Sequence, residues 1–200
     1  PPGGLSLLLN QLNQWLDHFE MGVHIEIESV GTVGVAIRVV DQISGRTSDL
    51  TQMGVGLSQL LPILVQCLMA VPGDVVIIEQ PELHLHPDLQ SELADFFLRV
   101  CLEKRVQLVI ETHSESILRQ VATRCAQGHQ VVRDQVNFSL VEKIDGVSSV
   151  QPIDIVDIQD SRKLTTFMSK SLQIQGALRI FNAFQRHLPR ESENAQNFLG

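Results

Sequence analysis

Two continuous apolar runs, "VVIIE" from Val75 to Glu79 and "VQLVIE" from Val106 to Glu111, flank one amphipathic stretch. No other feature of the chain restricts its fold as strongly. Strands apolar at successive positions suit a parallel sheet covered on both faces, not a sheet with a wet side. The stretch between them, opening at Pro87-Asp88, carries Leu89, Leu93, Phe96, Phe97 and Val100 at helical spacing. It closes with Lys104 and Arg105, as the helix dipole favours. A strand–helix–strand crossover of this kind is right-handed, so both strands point the same way. Their carboxyl ends, Glu79-Gln80 and Thr112-His113, then share one edge of the sheet, the edge at which open α/β sheets bind ligands.

The flanks read differently. Leu5, Leu8, Leu9, Leu12, Trp15, Leu16 and Phe19 follow helical spacing. In "VHIEIES", Val23, Ile25 and Ile27 alternate with His24, Glu26 and Glu28; with "VGVAIRVV" and Gly31-Thr32 between, this predicts a hairpin with one wet face. "DQISGRTSDLTQ" reads as a polar loop. "GVGLSQLLPILVQCLMA" becomes a helix with Leu57, Leu60, Leu61, Leu64 and Leu68 on one face, and Pro62 places its start close by, because proline is tolerated in a first turn. Ser114 is placed to cap a helix bearing Ile117, Leu118, Val121 and Cys125. "VNFSLVEKIDGVSSVQPI" predicts a second hairpin turning at Asp145-Gly146. From Leu164 to Leu188 the pattern is that of a long amphipathic helix, followed by a polar tail.

Composition closes off several classes. An apolar fraction of 44 % and a charged fraction of 19 % in 200 residues are those of a globular protein with a sizeable core. No apolar run approaches the roughly 20 residues that span a bilayer, so no membrane role is expected. The first residues lack a basic secretory n-region. A net charge of −8 opposes a surface devoted to nucleic acid, while leaving room for a local DNA site. Cys67, Cys101 and Cys125 lie far apart in apolar patterns, as free thiols of a reducing cytoplasm do.

Three segments carry chemistry: "MGVGLSQLLPIL", "VVIIEQPELHLHP" and "VIETHS". Taken singly each has a plain reading: a tight turn with a helix cap, a polar strand exit, and a polar loop residue after a strand. In this order and at these spacings they resemble the C-terminal half of an ABC-type ATPase of the SMC/RecF/OLD sort. The resemblance is closest to bacterial AAA-family ATPases that carry GxGxSQLLPIL and EQPExHLHP. It covers Thr51 to Gly128 well and the flanks loosely.

That resemblance implies a P-loop NTPase fold of the α/β class: a C-terminal lobe with a parallel core, antiparallel hairpins at both flanks and a C-terminal helix. Residues 1–45 would end an upstream lobe, 46–155 would form the ATPase lobe, and 156–200 a helical extension. It further implies ATP and Mg²⁺ as ligands. Gly54, Gly56, Ser58 and Gln59 match the signature turn, whose backbone N–H groups cradle the γ-phosphate held by a second subunit; the usual Leu-Ser-Gly-Gly-Gln wording is absent. Glu79 stands where an aspartate orients Mg²⁺. Gln80 replaces the usual glutamate; an amide positions water but takes no proton from it. Glu82 is the nearest carboxylate for that task, or else a surface acid. "HLHPDLQ" matches the D-loop neighbourhood, and His113 the γ-phosphate sensor. No G-x-x-x-x-G-K-[ST] occurs in the chain, so the Walker A half is expected on an upstream P-loop lobe. The implied protein is an ATP-gated clamp that dimerises around ATP, in DNA maintenance or phage defence, with a nuclease or effector as a further partner. Two rivals stand beside it: a non-hydrolysing nucleotide-gated clamp, in which Gln80 blocks turnover, and a metallohydrolase built on His84-x-His86 with Glu79 and His113.

Overall fold

A computed structural model describes residues 2–31, 34–127, 135–144, 147–166 and 177–182. The chain divides into two compact units, Pro1–Met69 and Ala70–Gly200. This division follows compactness, whereas boundaries at residues 45 and 155 follow motifs.

The first unit holds helix α1 (Pro2–His18), strands β1 (Val23–Val30), β2 (Gly34–Asp41) and β3 (Thr47–Asp49), a 3-10 turn (Leu50–Gln52) and helix α2 (Val55–Met69). The predicted hairpin is present, with β1 and β2 antiparallel from Val23↔Asp41 to Val30↔Gly34. The polar segment after it is not all loop. Thr47–Asp49 pairs antiparallel with β2, and Arg38 on β2 ties the three strands together through Glu28 and Asp49. Strand β1 lies at the sheet edge. Its outward backbone groups at Ile25 are covered by Asn13 of α1, which donates from Nδ2 to the Ile25 carbonyl (3.0 Å) and accepts from the Ile25 N–H (2.7 Å). Edge backbone groups need such partners when half buried. Asn13→Ala is expected to lower unfolding stability by about 1–2 kcal/mol, measurable by urea titration; an unchanged midpoint would dismiss the strap.

Helix α2 departs from expectation. It begins at Val55, and Pro62 sits in its middle. The Ser58 carbonyl thereby loses its i+4 donor. Pro62 is exposed, while Leu57, Leu60, Leu61, Leu64, Cys67 and Leu68 are buried, so the defect falls on the side where water can bond the carbonyl.

In the second unit, strand β4 (Val75–Glu79), helix α3 (Pro87–Lys104), strand β5 (Gln107–Thr112) and helix α4 (Glu115–Gln127) form the predicted alternation. The two strands are parallel neighbours, in register from Val75↔Gln107 to Glu79↔Glu111. Strands β6 (Val136–Ile144), β7 (Val147–Ile153) and β8 (Ala177–Asn182) complete a mixed sheet of order β4-β5-β8-β6-β7, and a short helix α5 (Ile155–Gln159) follows β7. The β6–β7 hairpin is antiparallel as expected; its turn at Asp145-Gly146 lies outside the described residues.

Two expectations need correction. The sheet is not covered on both faces at its β4 edge: Val76 and Ile78 are buried, but Val75 and Ile77 are 56 % and 69 % exposed. Helix α3 packs on α4 and β5, so one face of the edge strand receives the helical layer. The stretch from Leu164 to Leu188 is not one helix either. Residues 161–166 are helical, but Ala177–Asn182 is a strand paired antiparallel to β5 on one side and β6 on the other. Ladder bonds to two neighbours outweigh the weak helical bias of a short segment.

Candidate functional site

Glu79 ends β4 and is exposed. Its register partner is Glu111 on β5, which falls on the same, less buried face as Val75/Gln107 and Ile77/Val109. Two carboxylates side by side in a ladder repel. On its other side Glu111 pairs in register with Arg179 of β8, so Glu79 is the exposed carboxylate of this edge that could face a hard divalent cation, whose remaining ligands are usually waters and phosphate oxygens. Glu111 stands inside "VIETHS" with no local signal for its place beside Glu79, which comes from the strand register.

Gln80 follows at once, with a positive φ of 48°. Its N–H extends the parallel ladder to the Glu111 carbonyl (2.8 Å), and its own carbonyl accepts from Leu83 N–H (3.3 Å). The turn so closed has Pro81 at its second position, where the fixed φ of proline fits. A second turn runs from the Glu82 carbonyl to Leu85 N–H (3.1 Å), with His84 at its third position and φ of 61°. These tight reversals send the chain back along the strand ends.

The first reversal carries Glu82 onto β5. Its Oε2 accepts from Thr112 Oγ1 (2.8 Å), and its Oε1 from the backbone N–H of His113 (2.6 Å). Thr112 is fully buried, and its Oγ1 also accepts from Ser114 N–H (3.0 Å). Hydrogen bonds to a charged acceptor are worth about 1.5–3 kcal/mol each. Beside this clasp, Gln90 of α3 donates to the Leu85 carbonyl (2.9 Å) and accepts from Ser114 Oγ (2.5 Å). Ser114 in turn caps α4, accepting from Ile117 N–H (3.0 Å). The cap at Ser114 was legible in the sequence; Thr112 and Gln90 carried no signal beyond their place near the motifs.

His86 caps α3 by accepting at Nδ1 from Asp88 N–H (3.4 Å), with Pro87 in the first turn. Among the described residues no three His, Cys, Asp or Glu side chains converge as metal ligands. The cap role of His86 thus accounts for one of the two histidines on which a metallohydrolase would depend.

Glu79, Gln80, Glu82 and His113 therefore meet at one sheet edge in the second unit. Gly54, Gly56, Ser58 and Gln59 belong to the first. Gly54 precedes α2, and the Ser58 N–H bonds its carbonyl (3.3 Å). A Cβ built on Gly54 meets nothing within 4 Å, and its φ is not in the left-handed region. Neither internal packing nor backbone conformation accounts for glycine there. Ser58 Oγ donates to the Leu50 carbonyl at 3.4 Å. Without a side chain at the cap position, the first-turn N–H groups of α2 stay open to an anion.

Residues 8–119, more than half of the chain, match the model of a family described as "AAA domain, putative AbiEii toxin, Type IV TA system". No curated protein matches at a significant level. Among solved structures, one from a study of ATP-driven dimerization and DNA-stimulated activation of SMC ATPases superposes with a TM-score of 0.59 at 14 % identity, covering 82 % of this chain and 91 % of that one. The Smc head domain of Pyrococcus furiosus, with an extended coiled coil and bound to the C-terminal domain of ScpA, gives 0.51 at 14 % identity, covering 83 % of this chain and 38 % of that one. The mixed α/β fold is that of these SMC heads, a P-loop NTPase fold.

Proposed function

The chain belongs to the AAA-domain family, and from that premise we propose that it is the C-terminal lobe of an ABC-type ATPase working as an ATP-gated dimerising clamp. The observation that carries this reading is the meeting of Glu79, Gln80 and His113 at the carboxyl edge of one parallel strand pair. In it, Glu79, with Glu111 beside it, faces the Mg²⁺ that accompanies ATP. When bound, that ion neutralises charge on the β- and γ-phosphates. Gln80 holds the attacking water by hydrogen bonds. His113 touches the γ-phosphate and reports its loss. The Gly54–Gln59 turn offers its N–H groups to the nucleotide of a second subunit, so each site is completed across a dimer. The P-loop comes from an upstream lobe. Cys67, Cys101 and Cys125, all buried and far apart in sequence, support a cytoplasmic setting, and among the described residues no helix is long and apolar enough to cross a membrane. DNA, or a nuclease or effector partner, is what the motion of such a clamp would serve, in DNA maintenance or defence.

The deciding experiment uses the signature turn, in a protein joining this chain to its P-loop lobe. Gly56→Arg or Ser58→Arg is expected to leave ATP binding nearly intact and to abolish ATP-dependent dimerisation in light scattering, because a bulky cation blocks the partner's phosphates. Normal dimerisation of these variants would overturn the trans role. The 200-residue chain alone is expected to show no tight Mg·ATP site in calorimetry, since it offers γ-phosphate and metal contacts without a β-phosphate grip.

A further inference from the structure

We propose that Glu82 is a positioning residue: its carboxylate clasps the end of β5 and sets the backbone from which His113 projects. The role rests on the ATPase reading for its consequence, but the clasp itself needs no nucleotide. Three observations carry it. Both carboxylate oxygens are engaged by one three-residue segment, Oε2 by Thr112 Oγ1 and Oε1 by His113 N–H. Thr112 relays the bond onward, accepting from Ser114 N–H, so the N–H groups of both residues after β5 are fixed through one acid. Gln90 makes a second tie between the same two segments, from the Leu85 carbonyl to Ser114 Oγ. The turn after β4 and the segment after β5 are thus fastened twice, directly by Glu82 and through the Gln90 side chain of α3.

The consequence is mechanical. A shift of His113 toward or away from a γ-phosphate must move Glu82, and with it the turn that begins at Gln80. Water positioning at Gln80 and phosphate sensing at His113 are then one linked event. Glu82 acts in this scheme through its hydrogen bonds, not as the acceptor of the water's proton.

The two roles separate cleanly. In Glu82→Gln, Oε1 still accepts from His113 N–H, so that bond survives while the base is lost; Nε2 gives Thr112 Oγ1 a donor in place of the acceptor it had, so the Thr112 half of the clasp is weakened. Glu82→Ala removes both bonds. Amide hydrogen exchange on the nucleotide-free chain should show His113 exchanging about tenfold faster or more in Glu82→Ala, and close to wild type in Glu82→Gln. Thr112→Val, nearly isosteric, gives an independent reading should Glu82→Ala fail to fold; it should speed exchange at Ser114 and His113. Unchanged His113 exchange in the folded variants would overturn the clasp. In the protein with its P-loop lobe, Glu82→Ala and Thr112→Val should lower single-turnover hydrolysis with little change in ATP affinity, and Glu82→Gln should stay within about threefold of wild type. Equal losses in Glu82→Gln and Glu82→Ala, with Thr112→Val unaffected, would overturn the positioning role in favour of a proton acceptor. If no variant or wild type binds ATP at all, the ATPase reading falls and the exchange result stands by itself.

Discussion

Gln80→Glu is expected to raise single-turnover ATP hydrolysis by about 10²-fold or more in the protein carrying both lobes. A general base contributes about 10²–10⁴-fold, and an amide at that place supplies orientation only. The substitution is nearly isosteric, and the backbone at Gln80 has φ of 48°, a conformation that costs Glu what it costs Gln. The ladder bond from Gln80 N–H to Glu111 uses the backbone and is unaffected. Any change in rate therefore belongs to the side chain. Gln80→Gly supplies the control: it relieves the left-handed φ, stabilising the fold by about 1 kcal/mol, yet it removes the water-holding amide and should give no gain in rate. A wild type that turns over briskly, together with an indifferent Gln80→Glu, would place the base elsewhere. Loss with Glu82→Gln would then name Glu82.

The alternation β4-α3-β5-α4 was legible because four signals agree there: apolar runs of strand length, helical spacing between them, a basic close at Lys104 and a cap at Ser114. The edge shared by Glu79 and His113 followed from parallel pairing alone. What was not legible depends on register or on partners distant in sequence. Glu111 faces Glu79 only because Val75 pairs with Gln107, an offset that no local pattern encodes. The grip of Glu82 on Thr112 and His113 depends on two successive tight turns, including left-handed residues at Gln80 and His84 that carry side chains. A reader expecting glycine at such positions sees no turn signal. Pro62 signals a helix start by itself, but its exposure lets α2 keep it mid-helix, and exposure is a tertiary property. Ala177–Asn182 looked helical because its strand character comes from β5 and β6 on either side.

Arg124→Ala is expected to destabilise the second unit by about 3–5 kcal/mol, and by more than Asp95→Asn, although the two residues share one ion pair. Asp95 of α3 is buried, its side chain 7 % exposed against 28 % for Arg124 of α4. Its carboxylate accepts from Arg124 Nε (2.8 Å) and Nη2 (2.7 Å) and from Gln120 Nε2 (2.9 Å). The hydrogen bonding to Asp95 first, and then the negative charges of Asp95 and Glu92, hold the Arg124 guanidinium above its usual pKa. Removing Arg124 strands a buried charge with one neutral donor. Removing the charge at Asp95 leaves a guanidinium that reaches water and an amide that still accepts. The asymmetry distinguishes a buried acid with an exposed partner from a symmetric surface pair, for which either deletion costs less than about 1 kcal/mol. Replacing both residues together by Leu and Met is expected to recover most of the loss, since apolar substitutes of similar volume need no charge compensation. Chemical denaturation of the four proteins measures these costs, and equal costs for the two single changes would dismiss the argument. The pair also matters to the site. Helix α3 starts at the His86 cap and α4 at the Ser114 cap, directly after the two segments that Glu82 joins. Loosening α3 from α4 should therefore speed amide exchange at His113 in Arg124→Ala, at a distance from the substitution and with no loss of the Glu82 carboxylate.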